Sequence, residues 1–267
     1  MTEQHIDPVK HLASVLDLTS LNENDTDEVI SKLCERARTF HVAAVCVYPK
    51  FVRVARDQLA EHSMNEGQRT GQSSKIRIAT VANFPSGEDD LEATISTIKQ
   101  AVNDGADEID IVLPYRKLLA GEVEYCRNYL ESARKASHGF CLKVIIESGE
   151  LKDEANIELA TKLAIESGAN FVKTSTGKSK ISATPEAVAC MLKVINEMNV
   201  PCGVKVSGGV RTVKDGLVYL KMVNDSFGKT DMNNFRIGAS SLLDDIARHL
   251  NPVNQAGPDQ VNEGQVY

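Results

Sequence analysis

Eight short runs rich in Val and Ile alternate with amphipathic stretches along the whole chain, and this alternation limits the fold more than any other feature. The runs fall at residues 13–18, 43–48, 75–83, 108–113, 141–147, 170–175, 203–207 and 235–238. Each is short and apolar throughout, as strands covered on both faces must be. The segments between them carry helical spacing: Leu91, Ile95, Ile98 and Val102 in one, Ile157, Leu159, Leu163 and Ile165 in another, Val188, Met191, Leu192 and Ile195 in a third. Thr184-Pro185-Glu186 is a helix start, with a capping threonine and proline at the first helical position. Eight β-then-α units predict an α/β chain folded as a single-domain (β/α)8 TIM barrel over residues 1–250, which suits a chain of 267 residues. The alternative is an open doubly wound sheet, but the early Gly-x-Gly-x-x-Gly turn such a sheet normally carries is absent from the sequence. Residues 61–74 are polar and read as a surface connection, and residues 251–267 as a polar C-terminal tail ending in Tyr267.

Charge inside these strands is the second constraint. Lys143, Lys173 and Lys205 each interrupt an apolar run, and Asp110 interrupts a fourth. A buried lysine destabilises the fold unless its head is paired or reaches a cavity. Taken singly, each could snorkel at a strand end. Together they predict one polar centre. Alternation in Val204-Lys205-Val206-Ser207 turns Lys205 and Ser207 to one face and both valines to the other, and the same parity groups Lys143, Ile145 and Glu147. The segment from Asp104 to Asp110 aligns without gaps to Ser167 through Lys173, each with a glycine at the same distance before the charged residue. Equivalent depth on the fourth and sixth strands places Asp110 and Lys173 facing each other across a barrel interior. Crowded ammonium groups out of bulk water should titrate below the ordinary lysine value of about 10.4, and a neutral amine attacks carbonyls. Asp110 would neutralise one lysine and move protons. A structural salt bridge is the competing explanation for the pair.

Glycine and hydroxyl residues gather where the later strands end. Thr174-Ser175-Thr176-Gly177-Lys178, Ser207-Gly208-Gly209 and Gly238-Ala239-Ser240-Ser241 sit after strands six, seven and eight. Backbone N–H groups at such glycines, and a helix N-terminus, hold anions, so phosphate is the expected ligand. Asp17 and Thr19 at the end of the first strand either reach the lumen or cap the next loop. Cys46 is either core or a lumen thiol, and Asn83 either meets a ligand or folds the turn before Pro85. The formal net charge of −7 gives no reason to expect nucleic acid or an anionic membrane as a partner. The six cysteines form no Cys-x-x-Cys pair and the histidines no ligand pattern, so no metal is expected. Residues 1–10 lack an apolar signal core, and no apolar run approaches a membrane span, which points to the cytoplasm.

These motifs resemble those of the deoxyribose-phosphate aldolases over nearly the whole chain. The resemblance rests on Leu16-Asp17-Leu18-Thr19, Val45-Cys46-Val47-Tyr48-Pro49, the segment from Gly105 to Asp110, that from Lys143 to Glu147, that from Phe171 to Gly177, Lys205, the segment from Gly208 to Thr212, and that from Gly238 to Ser241. It implies a metal-free class I aldolase without a cofactor. Such an enzyme reversibly cleaves 2-deoxy-D-ribose 5-phosphate to D-glyceraldehyde 3-phosphate and acetaldehyde in deoxyribose phosphate catabolism. By this resemblance Lys173 is the Schiff-base lysine, Lys205 the second lysine that keeps it neutral, and Asp110 the proton-transfer carboxylate. Gly177, Lys178, Gly208, Gly209, Gly238, Ser240 and Ser241 become the phosphate site, supported by Lys143, Asp17, Thr19, Cys46 and Thr176. The residues alone do not choose between Lys173 and Lys205. Val206 stands where the family often has Pro or Ala, and its predicted outward direction implies repacking without loss of activity. The partners implied are small phosphorylated sugars and aldehydes, and a homo-oligomer is compatible with the sequence. Two rivals share these features: another Schiff-base enzyme of transaldolase or dehydratase type, and a non-catalytic phosphosugar-binding barrel.

Overall fold

The computed structural model describes residues 7–66, 75–88 and 90–251, with side chains of 61–66 excepted. Eight parallel strands close on themselves in chain order: β1 (Leu16–Ser20), β2 (Ala44–Val47), β3 (Arg77–Ala82), β4 (Glu108–Val112), β5 (Cys141–Ile145), β6 (Phe171–Lys173), β7 (Gly203–Ser207) and β8 (Phe235–Ala239). Closure is made by β8 against β1, with Asp17 level with Gly238. The fold is therefore the (β/α)8 barrel, and the open sheet is excluded.

Helices α1 (Pro8–Ser14), α2 (Asp27–Thr39), α3 (Val52–Glu66), α4 (Leu91–Asn103), α5 (Tyr115–Leu119), α6 (Val123–Ala136), α7 (Glu154–Glu166), α8 (Pro185–Met198), α9 (Val213–Phe227) and α10 (Leu242–Leu250) surround the strands. Their starts follow local chemistry. The side chains of Thr26, Asp90, Asp153, Thr184 and Thr212 each accept a backbone N–H of the first turn. Pro185 opens α8 as the sequence predicts. Outward strand residues and helix faces form one apolar layer that includes Val204 and Val206 of β7. Val206 thus points away from the lumen, as alternation requires.

Several boundaries differ from the sequence reading. Ala13 and Ser14 belong to α1, because Asp7 caps a helix with proline at its first position, and the first strand begins only at Leu16. Residues 61–66, expected as surface connection, continue α3, while 67–74 lie outside the described residues. The strand expected at 170–175 is only three residues long. The last strand, expected at 235–238, runs one residue further to Ala239. The expected tail, with Tyr267, falls outside the described residues from 252 onward.

The lumen has two unlike sides. Leu21, Cys46, Ala79 and Val81 form a small apolar cluster with Tyr48 and Phe84 packed against it. The opposite wall, from β4 round to β8 and on to Asp17, is lined by charge.

Candidate active site

Strand parity turns the charged side chains inward, and the barrel gathers them into one network. Asp110 Oδ2 accepts from Lys173 Nζ at 2.8 Å and from Lys205 Nζ at 2.7 Å, while its Oδ1 accepts from Lys143 Nζ at 3.0 Å. The pair expected to face each other across the lumen does so, and it shares one oxygen with the lysine of the next strand. Asp17 accepts from Lys205 at 2.5 Å through Oδ2 and from the Arg236 guanidinium through Oδ1, and it lies 3.6 Å from Lys143. Glu108 accepts from Lys143 and, at 2.8 Å, from Arg236 Nη2. All of these groups are buried.

Titration separates the three lysines. Burial works against the charge of every one. At Lys143 it is outweighed by Asp110, Glu108 and Asp17, which hold the ammonium well above the usual lysine range. At Lys205 burial is likewise outweighed, by Asp110 and Asp17. At Lys173 burial wins, with Lys205 adding to it, because Asp110 is the carboxylate that opposes them; the amine titrates below its ordinary value. The expectation that the crowded lysines would all move toward neutrality is therefore corrected for Lys143 and Lys205. Two or more carboxylates surround each of them. Asp110 itself is held well below the usual carboxylate range, since Lys143, Lys173 and Lys205 together overcome the burial that would raise it. Lys173 also keeps 3% of its side chain exposed, against 0% for Lys143 and Lys205, so it is the least enclosed of the three.

The ends of strands six to eight form a cleft of about 230 Å³ at the mouth of the lumen. It is lined by Thr19, Thr176, Gly177, Lys178, Ser207, Gly208, Gly209, Gly238, Ser240 and Ser241, with Asn22 and Arg211 among the further residues. Every residue expected to hold phosphate lies on this one surface. Gly177, Gly208 and Gly209 have φ near +80°, the left-handed region that glycine tolerates best. At Gly238 a Cβ would lie 3.1 Å from Lys205 Cε, so glycine there leaves Lys205 its room. α10 begins at Leu242, and Ser241 at its cap position lines the same cleft together with Ser240. Lys178 crosses to the β1 side, its Nζ donating to Leu21 O at 2.7 Å.

The remaining residues divide. Asp17 reaches the lumen, while the Thr19 hydroxyl donates to its own strand at Asp17 O and also lines the cleft. Cys46 faces the lumen on the apolar side, where burial pushes its thiol up and keeps it protonated. Asn83 Nδ2 donates to Val112 O, which ties β3 to β4. Glu147, grouped with Lys143 by parity, leaves the lumen where β5 ends; its carboxylate accepts from Thr176 N–H and Ser179 Oγ and so holds the loop after β6. Glu108 and Arg236 went unread, although Phe235-Arg236-Ile237 shows the same alternation as Val204-Lys205-Val206 and Glu108 stands two residues before Asp110.

With this geometry in place, comparison with known proteins gives a family. The chain matches the DeoC/LacD family aldolase profile over residues 12–248. The protein is a DeoC/LacD family aldolase, and so a carbon–carbon lyase. Among solved structures it is similar to a candidate deoxyribose-phosphate aldolase from Coccidioides immitis, at 27% identity and a TM-score of 0.78 over 91% of this chain and 87% of that one. Two others share the fold. A candidate deoxyribose-phosphate aldolase from Toxoplasma gondii ME49 matches at 23% identity and a TM-score of 0.82, over 94% and 97% of the two chains. The tetrameric deoxyribose phosphate aldolase from Aeropyrum pernix matches at 24% identity and a TM-score of 0.73, over 92% and 93%.

Proposed function

We propose that this aldolase acts as a class I enzyme on 2-deoxy-D-ribose 5-phosphate, with Lys173 as nucleophile. The observation that carries the reading is the sharing of Asp110 Oδ2 by Lys173 and Lys205 beneath a glycine- and hydroxyl-lined cleft. Lys205, which stays charged, disfavours a second positive charge on Lys173 and leaves it a free electron pair. The glycines and hydroxyl residues that line the cleft support its reading as the seat of a terminal phosphate. The phosphate then holds the far end of an open-chain sugar, and its aldehyde carbon reaches down to Lys173.

The steps follow from that placement. The Lys173 amine adds to the C1 aldehyde and gives a carbinolamine. Asp110 and a relayed proton assist loss of water, leaving an iminium. The iminium draws electrons from the C2–C3 bond, which is the bond that must break if a two-carbon and a three-carbon aldehyde are to form. The C3 hydroxyl gives up its proton as it becomes the aldehyde of glyceraldehyde 3-phosphate. The remaining enamine takes a proton at C2, and water hydrolyses the resulting iminium, releasing acetaldehyde and free Lys173. The apolar patch of Leu21, Cys46, Ala79 and Val81 suits the methyl end of that fragment. Lys143 holds Asp110 in place. Among the described residues no helix is long and apolar enough to cross a membrane, and we place the enzyme in the cytoplasm, in deoxyribose phosphate breakdown.

Incubation with 2-deoxy-D-ribose 5-phosphate tests the reading. Acetaldehyde and glyceraldehyde 3-phosphate should appear in equal amounts, and Lys173→Leu should abolish both while the circular dichroism spectrum is retained. Turnover that survives in folded Lys173→Leu contradicts it. Imine formation only with larger carbonyl donors would favour a transaldolase-like enzyme instead.

A further inference from the structure

Arg236 lies on β8 between Phe235 and Ile237, both in the apolar surroundings of the strands, and its own side chain is buried. Its guanidinium reaches two carboxylates at once. Nη1 donates to Asp17 Oδ1 at 2.5 Å and Nη2 to Glu108 Oε1 at 2.8 Å. Nε donates to Met232 O at 2.5 Å, and the group lies 5.6 Å from the centre of the Phe171 ring. Neither Arg236 nor Glu108 contacts Lys173 in the ion-pair network, and neither has a part in the steps above.

Their place in the charge balance is informative. Among the described residues, ion pairs join seven buried groups: the bases Lys143, Lys173, Lys205 and Arg236, and the acids Asp17, Glu108 and Asp110. With every group ionised this buried cluster holds one positive charge too many, which a low-dielectric interior penalises. Loss of a single proton makes it neutral. Arg236 cannot supply that proton, because a guanidinium stays charged in proteins. Lys143 touches three carboxylates and Lys205 two, whereas Lys173 touches only Asp110 and shares it. The Cys46 thiol, the titratable neighbour from β2, is neutral because it is buried. Arg77 reaches Glu108 at 3.2 Å from a side chain that is 34% exposed, so water weakens its charge without cancelling it, and it weighs less than Arg236.

We infer that Arg236 and Glu108 are positioning residues that fix the charge count of the lumen, so that one buried lysine stays neutral and that lysine is Lys173. The inference deepens the aldolase reading and rests on it for its purpose, but its signs can be measured without turnover. Removing the Arg236 charge balances the cluster with all three lysines protonated. Removing the Glu108 charge adds to the positive excess. Removing both restores the original balance.

The test is ¹⁵N NMR of the lysine side chains in the full-length protein across the neutral and alkaline range, with Lys173→Leu used for assignment. The unaltered protein should show Lys173 losing its proton at a lower pH than Lys143 and Lys205. Arg236→Met should raise the pH at which Lys173 titrates by about one unit or more, so that roughly tenfold less neutral amine remains at a fixed lower pH. Glu108→Gln should move it the other way, and the double variant should return it near the starting value. Arg77→Met, a milder change at the exposed rim, should act in the direction of Arg236→Met by a smaller amount, and it carries the test if the buried variants do not fold. Single variants that shift Lys173 in the same direction, or not at all, overturn the inference, as does an unmoved Arg77→Met where that variant alone can be measured. Shifts of the expected sign in a protein that forms no reducible acetaldehyde adduct would sink the aldolase reading and leave the charge count standing. Adduct formation without the shifts would do the reverse.

Discussion

Lys205→Met isolates the effect on which the mechanism depends. Lys173 and Lys205 donate to the same oxygen at 2.8 and 2.7 Å, so their nitrogens lie roughly 5 Å apart. At an effective dielectric constant of about 20, two positive charges at that separation repel by about 3 kcal/mol, or about two pKa units. Replacing Lys205 by methionine removes that repulsion and also leaves Asp110 Oδ2 to Lys173, with Lys143 still donating to Oδ1. The proton on Lys173 becomes harder to remove, and the acid limb of kcat/KM should move up by about two units. At a pH below both limbs, activity should drop about a hundredfold from this cause alone. Much of it should return at alkaline pH, which distinguishes the variant from Lys173→Leu. The assay is the pH dependence of turnover, checked against the rate at which borohydride traps acetaldehyde on the protein. Because breaking a buried ion pair costs about 3–5 kcal/mol, circular dichroism and thermal unfolding must first show a folded variant. A folded Lys205→Met enzyme whose acid limb stays in place, or moves down, refutes the reasoning.

Other outcomes follow from the same geometry. Gly238→Ala would set a Cβ 3.1 Å from Lys205 Cε and 3.0 Å from Ser207 Oγ, so kcat should fall more than KM rises, measured by steady-state kinetics. Ser241→Asp puts negative charge at the start of α10 beside the cleft; it should raise KM for the phosphorylated sugar several-fold more than for unphosphorylated deoxyribose, in parallel assays of the two. Stability should fall in acid. Asp17, Glu108 and Asp110 are held below the ordinary carboxylate range of about 4, so the unfolded chain takes up protons first and the stability they contribute is lost as pH drops through that range toward their folded values. Lys173 has the same sign of linkage in a different pH window: its folded value is lowered too, so stability rises with pH between the folded and unfolded lysine values. Urea unfolding across pH should show both effects, with a shallower acid loss in Glu108→Gln, and equal slopes in the two proteins would contradict the assignment.

Much of this was legible in the sequence because two periodicities carry it. Short runs rich in Val and Ile, recurring between helical stretches, identified the strands, and alternation within one of them turned Lys205 inward and Val206 outward. The repeated spacing from glycine to charge placed Asp110 opposite Lys173. The anion cleft could be read from glycines and hydroxyl residues at the ends of consecutive strands. The lysine titrations were only partly legible, since a lysine's pKa depends on how many carboxylates reach it from other strands. Asp17 comes from β1, more than a hundred residues before Lys143 and Lys205, and its direction depends on where β1 begins. That start was misplaced by the helix that Asp7 and Pro8 initiate. Parity also failed for Glu147, because β5 stops at Ile145 and the chain turns, with φ of 51° at Glu147, to hold the next loop.

The most direct test of the central claim is to reduce the protein with borohydride in the presence of acetaldehyde and to map the modified peptide by mass spectrometry. The account predicts a single ethyl group on Lys173, with Lys143 and Lys205 unmodified. An ethyl group on Lys205, or none on Lys173 in a protein that still cleaves its sugar phosphate, would contradict it.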